Sequence, residues 1–148
     1  LAQEKSLNAN QFLQAIAHFS CKNSAVAVPR AKVMSHNRWT DNLSQVLRWN
    51  LKNGIATGLI YDSTLTHKVP QGEETWLTGK VPDHATLALG SRWKEDKQKC
   101  QILIRDSFGD DCSKLNLQKV DCNHDGTFWI DEDLLVSKLF FTSHFSKY

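Results

Sequence analysis

Pro82-Asp83-His84-Ala85-Thr86-Leu87-Ala88-Leu89-Gly90, a charged excursion, then Cys100-Gln101-Ile102-Leu103-Ile104-Arg105-Asp106-Ser107-Phe108-Gly109: on this stretch the reading of the chain turns. It predicts a β-hairpin. The first arm opens on a histidine and then alternates small and apolar residues. The loop between the arms is rich in Lys, Asp, Glu and Gln. The second arm is an apolar run that ends on an acid, a serine, an aromatic residue and a glycine. Antiparallel pairing would set the start of the first arm beside the end of the second. His84 and Asp106 would then meet at one end of the hairpin, as a histidine held by a carboxylate.

These two blocks, Asp-His-Ala…Leu-Gly and Ile-Leu-Ile-Arg-Asp-Ser-Phe-Gly, resemble the second half of a papain-like cysteine peptidase. In that family a His-Ala strand start is followed, after a variable loop, by Ile/Leu-Arg/Lys-Asn-Ser-Trp-Gly. The later Gly126-Thr127-Phe128-Trp129-Ile130 resembles the family's closing glycine and strand. The likeness is nearest to bacterial members with a cysteine pair just after the motif, and covers roughly residues 43–140. The chain departs from the pattern at Asp106, where Asn is expected, and at Phe108, where Trp is expected. The family's nucleophile segment, a Gln followed by Cys-Gly-Ser-Cys-Trp, occurs nowhere in it.

The resemblance implies roles. His84 would keep a cysteine as thiolate and later protonate the leaving amine, and Asp106 would orient its imidazole. A carboxylate in place of the amide adds Coulomb stabilisation to the imidazolium, at the expense of acid strength when the amine leaves. Phe108 would shield the pair from water, or simply pack in the core. Asp83 and Ala85 would flank the substrate cleft, Ala85 near the pocket for the second residue upstream of the scissile bond; Asp83 reads equally well as an exposed charge. The nucleophilic Cys and the oxyanion Gln would come from a separate or removed N-terminal half, with a peptide or protein as substrate. The alternative is a lobe that has lost catalysis and binds a peptide or protein partner. Ser107 reads as structural rather than as a serine nucleophile.

Composition sets wider limits. One domain is expected over residues 1–148, with residues 1–40 an N-terminal helix and extended segment and 41–140 the core. A net charge of +2, with acids and bases interspersed, argues against nucleic acid or an anionic membrane as partner. The apolar runs are too short to span a bilayer. Leu1-Ala2-Gln3-Glu4-Lys5 is not a signal peptide, and the missing initiator Met suggests a cleaved or recombinant product. Four cysteines allow three pairings. Cys112 and Cys122 have the spacing of a local staple, which would leave Cys21 with Cys100. Four reduced thiols are the other reading, disfavoured by the even number and the lack of a metal-type Cys-x-x-Cys. Disulfides would place the chain in a secreted, periplasmic or other oxidising compartment. Cys21 sits at the end of a predicted helix, where the dipole does not favour a thiolate, so it is not read as the nucleophile.

The remaining chain reads as mixed helix and strand. Phe12, Leu13, Ile16 and Phe19 predict a helix over 6–20, Ala25 to Val28 a short extended segment, and 32–37 a further one. A second helix, capped by Thr40 or Asp41, runs to Asn53 with Leu43, Val46, Leu47, Asn50 and Leu51 on its buried stripe and Gly54 as its stop. A strand follows over 55–61, then a polar loop over 62–81 with Trp76-Leu77 its one bulky apolar patch. Asn123-His124-Asp125-Gly126 predicts a turn, 127–130 a strand, and 132–139 a short helix capped by Asp131. The tail, 140–148, shows no pattern. Residues 121–126 resemble a calcium loop but lack its spacing and closing Glu, so no metal and no cofactor are expected. The fold class is α+β; an antiparallel, partly closed, barrel-like sheet with packed helices is what the resemblance implies.

Overall fold

A computed structural model describes residues 31–69, 82–107 and 109–147. The helix predicted over 6–20, the extended segment before Pro29, Trp76-Leu77, Phe108 and Cys21 lie outside the described residues. Among the described residues, seven strands and two helices follow in chain order: β1 Ala31–Asn37, α1 Leu43–Lys52, β2 Thr57–Tyr61, β3 His84–Lys94, β4 Lys99–Arg105, β5 Val120–Cys122, β6 Thr127–Asp131, α2 Glu132–Lys138 and β7 Leu139–Lys147.

The strands form one antiparallel sheet in the order β1-β7-β2-β3-β4-β6-β5. The α+β class holds. Partial closure does not: among the described residues the sheet is open, with β1 and β5 as unpaired edges. The predicted hairpin is β3–β4, in register from Leu87↔Arg105 to Lys94↔Lys99, with an irregularity at Leu89. β3 continues beyond Gly90 through Lys94, so the loop shrinks to the turn 95–98.

The tail that shows no pattern in sequence is β7, a central strand between β1 and β2. It starts at Leu139, immediately after Lys138 of α2, and puts Leu139 and Phe140 in the interior. Both helices pack on the sheet, α1 against β3 and β7, α2 against β4 and β6. The core joins Leu43 and Leu47 of α1 and Leu135 of α2 to Leu59, Ile102, Ile104, Phe128 and Ile130. Each such side chain stabilises the fold by about 1.5–3 kcal/mol on full burial.

The ends of α1 follow elementary rules with one shift. Its N-cap is Asn42, whose side-chain oxygen accepts the Gln45 N–H at 3.1 Å. Asp41, one of the two expected caps, instead accepts the Asn37 N–H at 3.0 Å and so closes the turn after β1. Gly54 ends the helix at φ +69°, a left-handed conformation that a side chain would strain. Asp131 is the N-cap of α2 by position, but makes no capping bond; its carboxylate accepts from Gln101 Nε2 at 2.8 Å.

Candidate functional site

His84 is the first residue of β3, and Asp106 follows the last residue of β4. The hairpin brings them together as the sequence implied: Nε2 of His84 lies 3.0 Å from Oδ2 of Asp106. The main chain fixes the acid, because the Asp106 N–H donates to the Gly126 carbonyl at 3.0 Å. Gly126, at φ +82°, belongs to the turn predicted at 123–126. On the other side β2 pairs Tyr61 with His84, and the two rings meet edge to face at 5.4 Å. The side chains of His84 and Asp106 are only 10% and 4% exposed.

A third group joins them that sequence reasoning did not place. His67 lies in the segment read as a polar loop. Its Nε2 approaches Asp106 Oδ2 to 3.6 Å, and its ring meets that of His84 at 4.7 Å. Local chemistry brings it there. Asp62 caps a turn over Ser63–Leu65 through the Thr64 N–H, and the His67 N–H then donates to the Ser63 carbonyl at 2.9 Å. A bridge from His67 to Leu115 anchors the segment on the disulfide-closed loop, and Thr66 Oγ1 lies 3.0 Å from His67 Nδ1. The Asp62-Ser63-Thr64 sequence is an Asx-turn signal that would have bent the chain here. The bridge partner is too distant in sequence to have been inferred.

Charge follows from this packing. Burial pushes the Asp106 carboxyl upward, but the hydrogen bond from His84 and the attraction of both histidines outweigh it, and the net shift is below the ordinary value of 3.8. Asp106 is therefore a carboxylate near neutral pH. An ionised carboxylate only accepts, so Nε2 of His84 is the donor in this pair. Burial, followed by the proximity of His84, lowers the pKa of His67 below 6.5, which leaves it neutral at pH 7. Burial drives the Tyr61 hydroxyl the other way, well above its usual range, so it stays protonated.

The other site residues fall as follows. Asp83 turns its carboxylate to Ser63, accepting the backbone N–H at 2.7 Å and the hydroxyl at 2.9 Å. It thus ties the His67 turn to the start of β3. Ala85 is half-buried and pairs with Ile60 of β2. Ser107 is exposed. The Cys112–Cys122 disulfide is formed, with Cα atoms 6.0 Å apart. Cys100 is a half-buried free thiol, and its expected partner Cys21 lies outside the described residues. In the segment that resembles a calcium loop, Asp125 caps its own turn by accepting the Thr127 N–H at 2.9 Å, and Asp121 accepts from Lys94 and Gln101. Among the described residues, the one cluster with ligand atoms close enough to hold a metal ion is His67, His84 and Asp106, within 4.8 Å of one another.

No family model matches the chain, and no curated protein matches it. No helix among the described residues is long and apolar enough to cross a membrane.

Proposed function

We propose that this chain is the histidine-bearing lobe of a papain-like cysteine peptidase, with the nucleophilic cysteine and the oxyanion-stabilising glutamine on polypeptide outside this sequence. One observation carries the proposal. A histidine at the first position of a strand donates Nε2–H to an acid just past the end of its hairpin partner. In this reading Nδ1 takes the proton of a thiol. In the reaction proposed, the thiolate attacks the scissile carbonyl, the imidazolium protonates the leaving amine, and water then releases the acyl group with His84 again as base. The Asp106 carboxylate stabilises the imidazolium more strongly than an amide would. The neutral His67 beside it adds no opposing charge.

A formed disulfide fits an oxidising compartment. Secretion or a periplasmic location is part of the proposal. The decisive test combines this chain with the polypeptide encoded beside it and measures peptide hydrolysis. Wild type should hydrolyse, and His84→Ala should abolish turnover while the assembly persists. Equal turnover in the two would refute the role of His84.

A second reading is a catalytically inactive lobe that binds a peptide or protein. The sharing of Asp106 between two imidazoles favours it, because an acid drawn toward a second ring orients the first less firmly. The encoding frame separates the two: a cysteine at the family position upstream supports the peptidase, a serine or glycine there the binding module.

A further inference from the structure

We propose that His67, His84 and Asp106 form a binding site for a single Zn2+ ion. Tetrahedral zinc holds histidine nitrogen at about 2.0–2.1 Å and carboxylate oxygen at about 2.0–2.2 Å, which sets neighbouring ligand atoms about 3.3–3.5 Å apart. The two edges meeting at Asp106 Oδ2 measure 3.0 Å to His84 Nε2 and 3.6 Å to His67 Nε2, on either side of that value. All three ligand atoms fall within 4.8 Å. Closing the remaining edge requires rotation of the two rings, which meet at 74°, by an ångström or so at the nitrogens.

Three further observations support a bound cation. Asp106 Oδ1 is buried and has no hydrogen-bond partner among the described residues, so this carboxylate keeps an unused acceptor in the interior. His67 has the outer contact typical of a metal-bound imidazole: Thr66 Oγ1 sits on Nδ1 and aims Nε2 at Asp106. A cavity of about 10 Å3 borders His67 and Asp106 but not His84, with Asp111 and the cationic Lys114 on its walls, and has room for the one water that would complete the zinc's shell. Two imidazoles and one carboxylate suit zinc, with water in the fourth position. Calcium and magnesium call for six or more oxygens.

Zinc would replace the proton on His84 Nε2, and that proton would leave to solvent. The ion would also take Asp106 from its orienting role. Under the peptidase reading, on which this consequence alone rests, zinc would switch hydrolysis off reversibly.

The test is a ZnCl2 titration of the full, EDTA-treated, 15N-labelled chain at pH 7, followed by long-range 1H–15N spectra of the imidazoles. The expected result is that His67 and His84 shift together and saturate at one equivalent, while His18, His36, His124 and His144 stay still. A hundredfold excess of MgCl2 should not compete. By calorimetry, His67→Ala should weaken zinc binding at least about tenfold, the smallest loss usual even for an outer-shell change. The proposal is overturned if no imidazole responds, if the stacked pair His36–His144 responds instead, or if His67→Ala binds as tightly as wild type. Because the spectra use the wild-type chain, a poorly folded variant does not spoil the test. Zinc bound at this site without any effect on hydrolysis by the assembly would refute the role of His84 in that hydrolysis and leave the metal site standing.

Discussion

Replacing Asp106 with Asn probes the charge at the centre of the site while keeping its shape. The amide oxygen can still accept from His84 Nε2, so the hydrogen bond survives as a neutral one. A bond to a charged group contributes about 1.5–3 kcal/mol against about 0.5–1.5 for a neutral pair, a loss of about 1 kcal/mol. The new amide nitrogen takes the place of Oδ1, which is buried without a partner among the described residues. A buried, unsatisfied donor costs about 1–3 kcal/mol more. Relief from burying a charge acts the other way. The downward net shift of Asp106 shows that attraction already exceeds this burial penalty in the folded state. The net expectation is a loss of about 1–3 kcal/mol at pH 7, which for a chain of this size lowers Tm by about 2–4 °C per kcal/mol. The pH dependence gives the sign. A carboxyl whose folded pKa lies below its unfolded value stabilises the fold above the unfolded value, and that stabilisation is lost as pH falls through the folded one. Urea unfolding of wild type and Asp106→Asn at pH 7, and again in acid below 3.8, should therefore show a gap that narrows in acid. A gap of the same size at both pH values, or a variant more stable than wild type at pH 7, would refute this reasoning.

Further outcomes follow from other parts of the fold. The Cys112–Cys122 bond closes a loop with a sequence separation of 10, so the Cys112→Ser/Cys122→Ser variant should lose about 2.7 kcal/mol by the chain-entropy relation, read from urea midpoints under non-reducing conditions. Leu47 is fully buried between α1 and the sheet, and Leu47→Ala should cost about 2–5 kcal/mol without changing the far-UV circular dichroism of the native state. The half-buried His67 has its pKa lowered below 6.5, chiefly by desolvation, so the unfolded chain binds the proton more readily. Its contribution to stability is present above 6.5 and lost as pH falls through the folded value, with a slope of at most about 1.4 kcal/mol per pH unit. His67→Gln should flatten that slope in urea unfolding series from pH 7.5 downward.

Local pattern made the hairpin legible. Alternation in β3 and the apolar run of β4 predicted two strands, and the acid after Arg105 then had to lie near the histidine that opens β3. The buried stripe of α1 and the turn before β6 were readable for the same reason, since each is specified by neighbours in sequence. β7 was not. Its run Leu-Phe-Phe-Thr-Ser-His-Phe-Ser-Lys follows α2 with no glycine or proline between, and its partners β1 and β2 come from the other half of the chain. The polar Thr142 is buried there, which breaks the alternation by which a strand is recognised. His67 was missed because its place depends on the bridge to Leu115, on Asp83 holding Ser63, and on Asp106, none of them sequence neighbours. The site's histidine–carboxylate pair could be read from the hairpin. The second histidine could be found only in three dimensions.

The central claim is that His84 activates a thiol belonging to polypeptide outside this sequence. It is tested most directly by treating the native assembly, at neutral pH, with a peptide-like, cysteine-directed electrophile and locating the labelled residue by mass spectrometry. The account predicts rapid labelling of one cysteine other than Cys21, Cys100, Cys112 and Cys122, with the rate collapsing in the His84→Ala assembly. Labelling confined to Cys100, or a rate indifferent to His84, would contradict it.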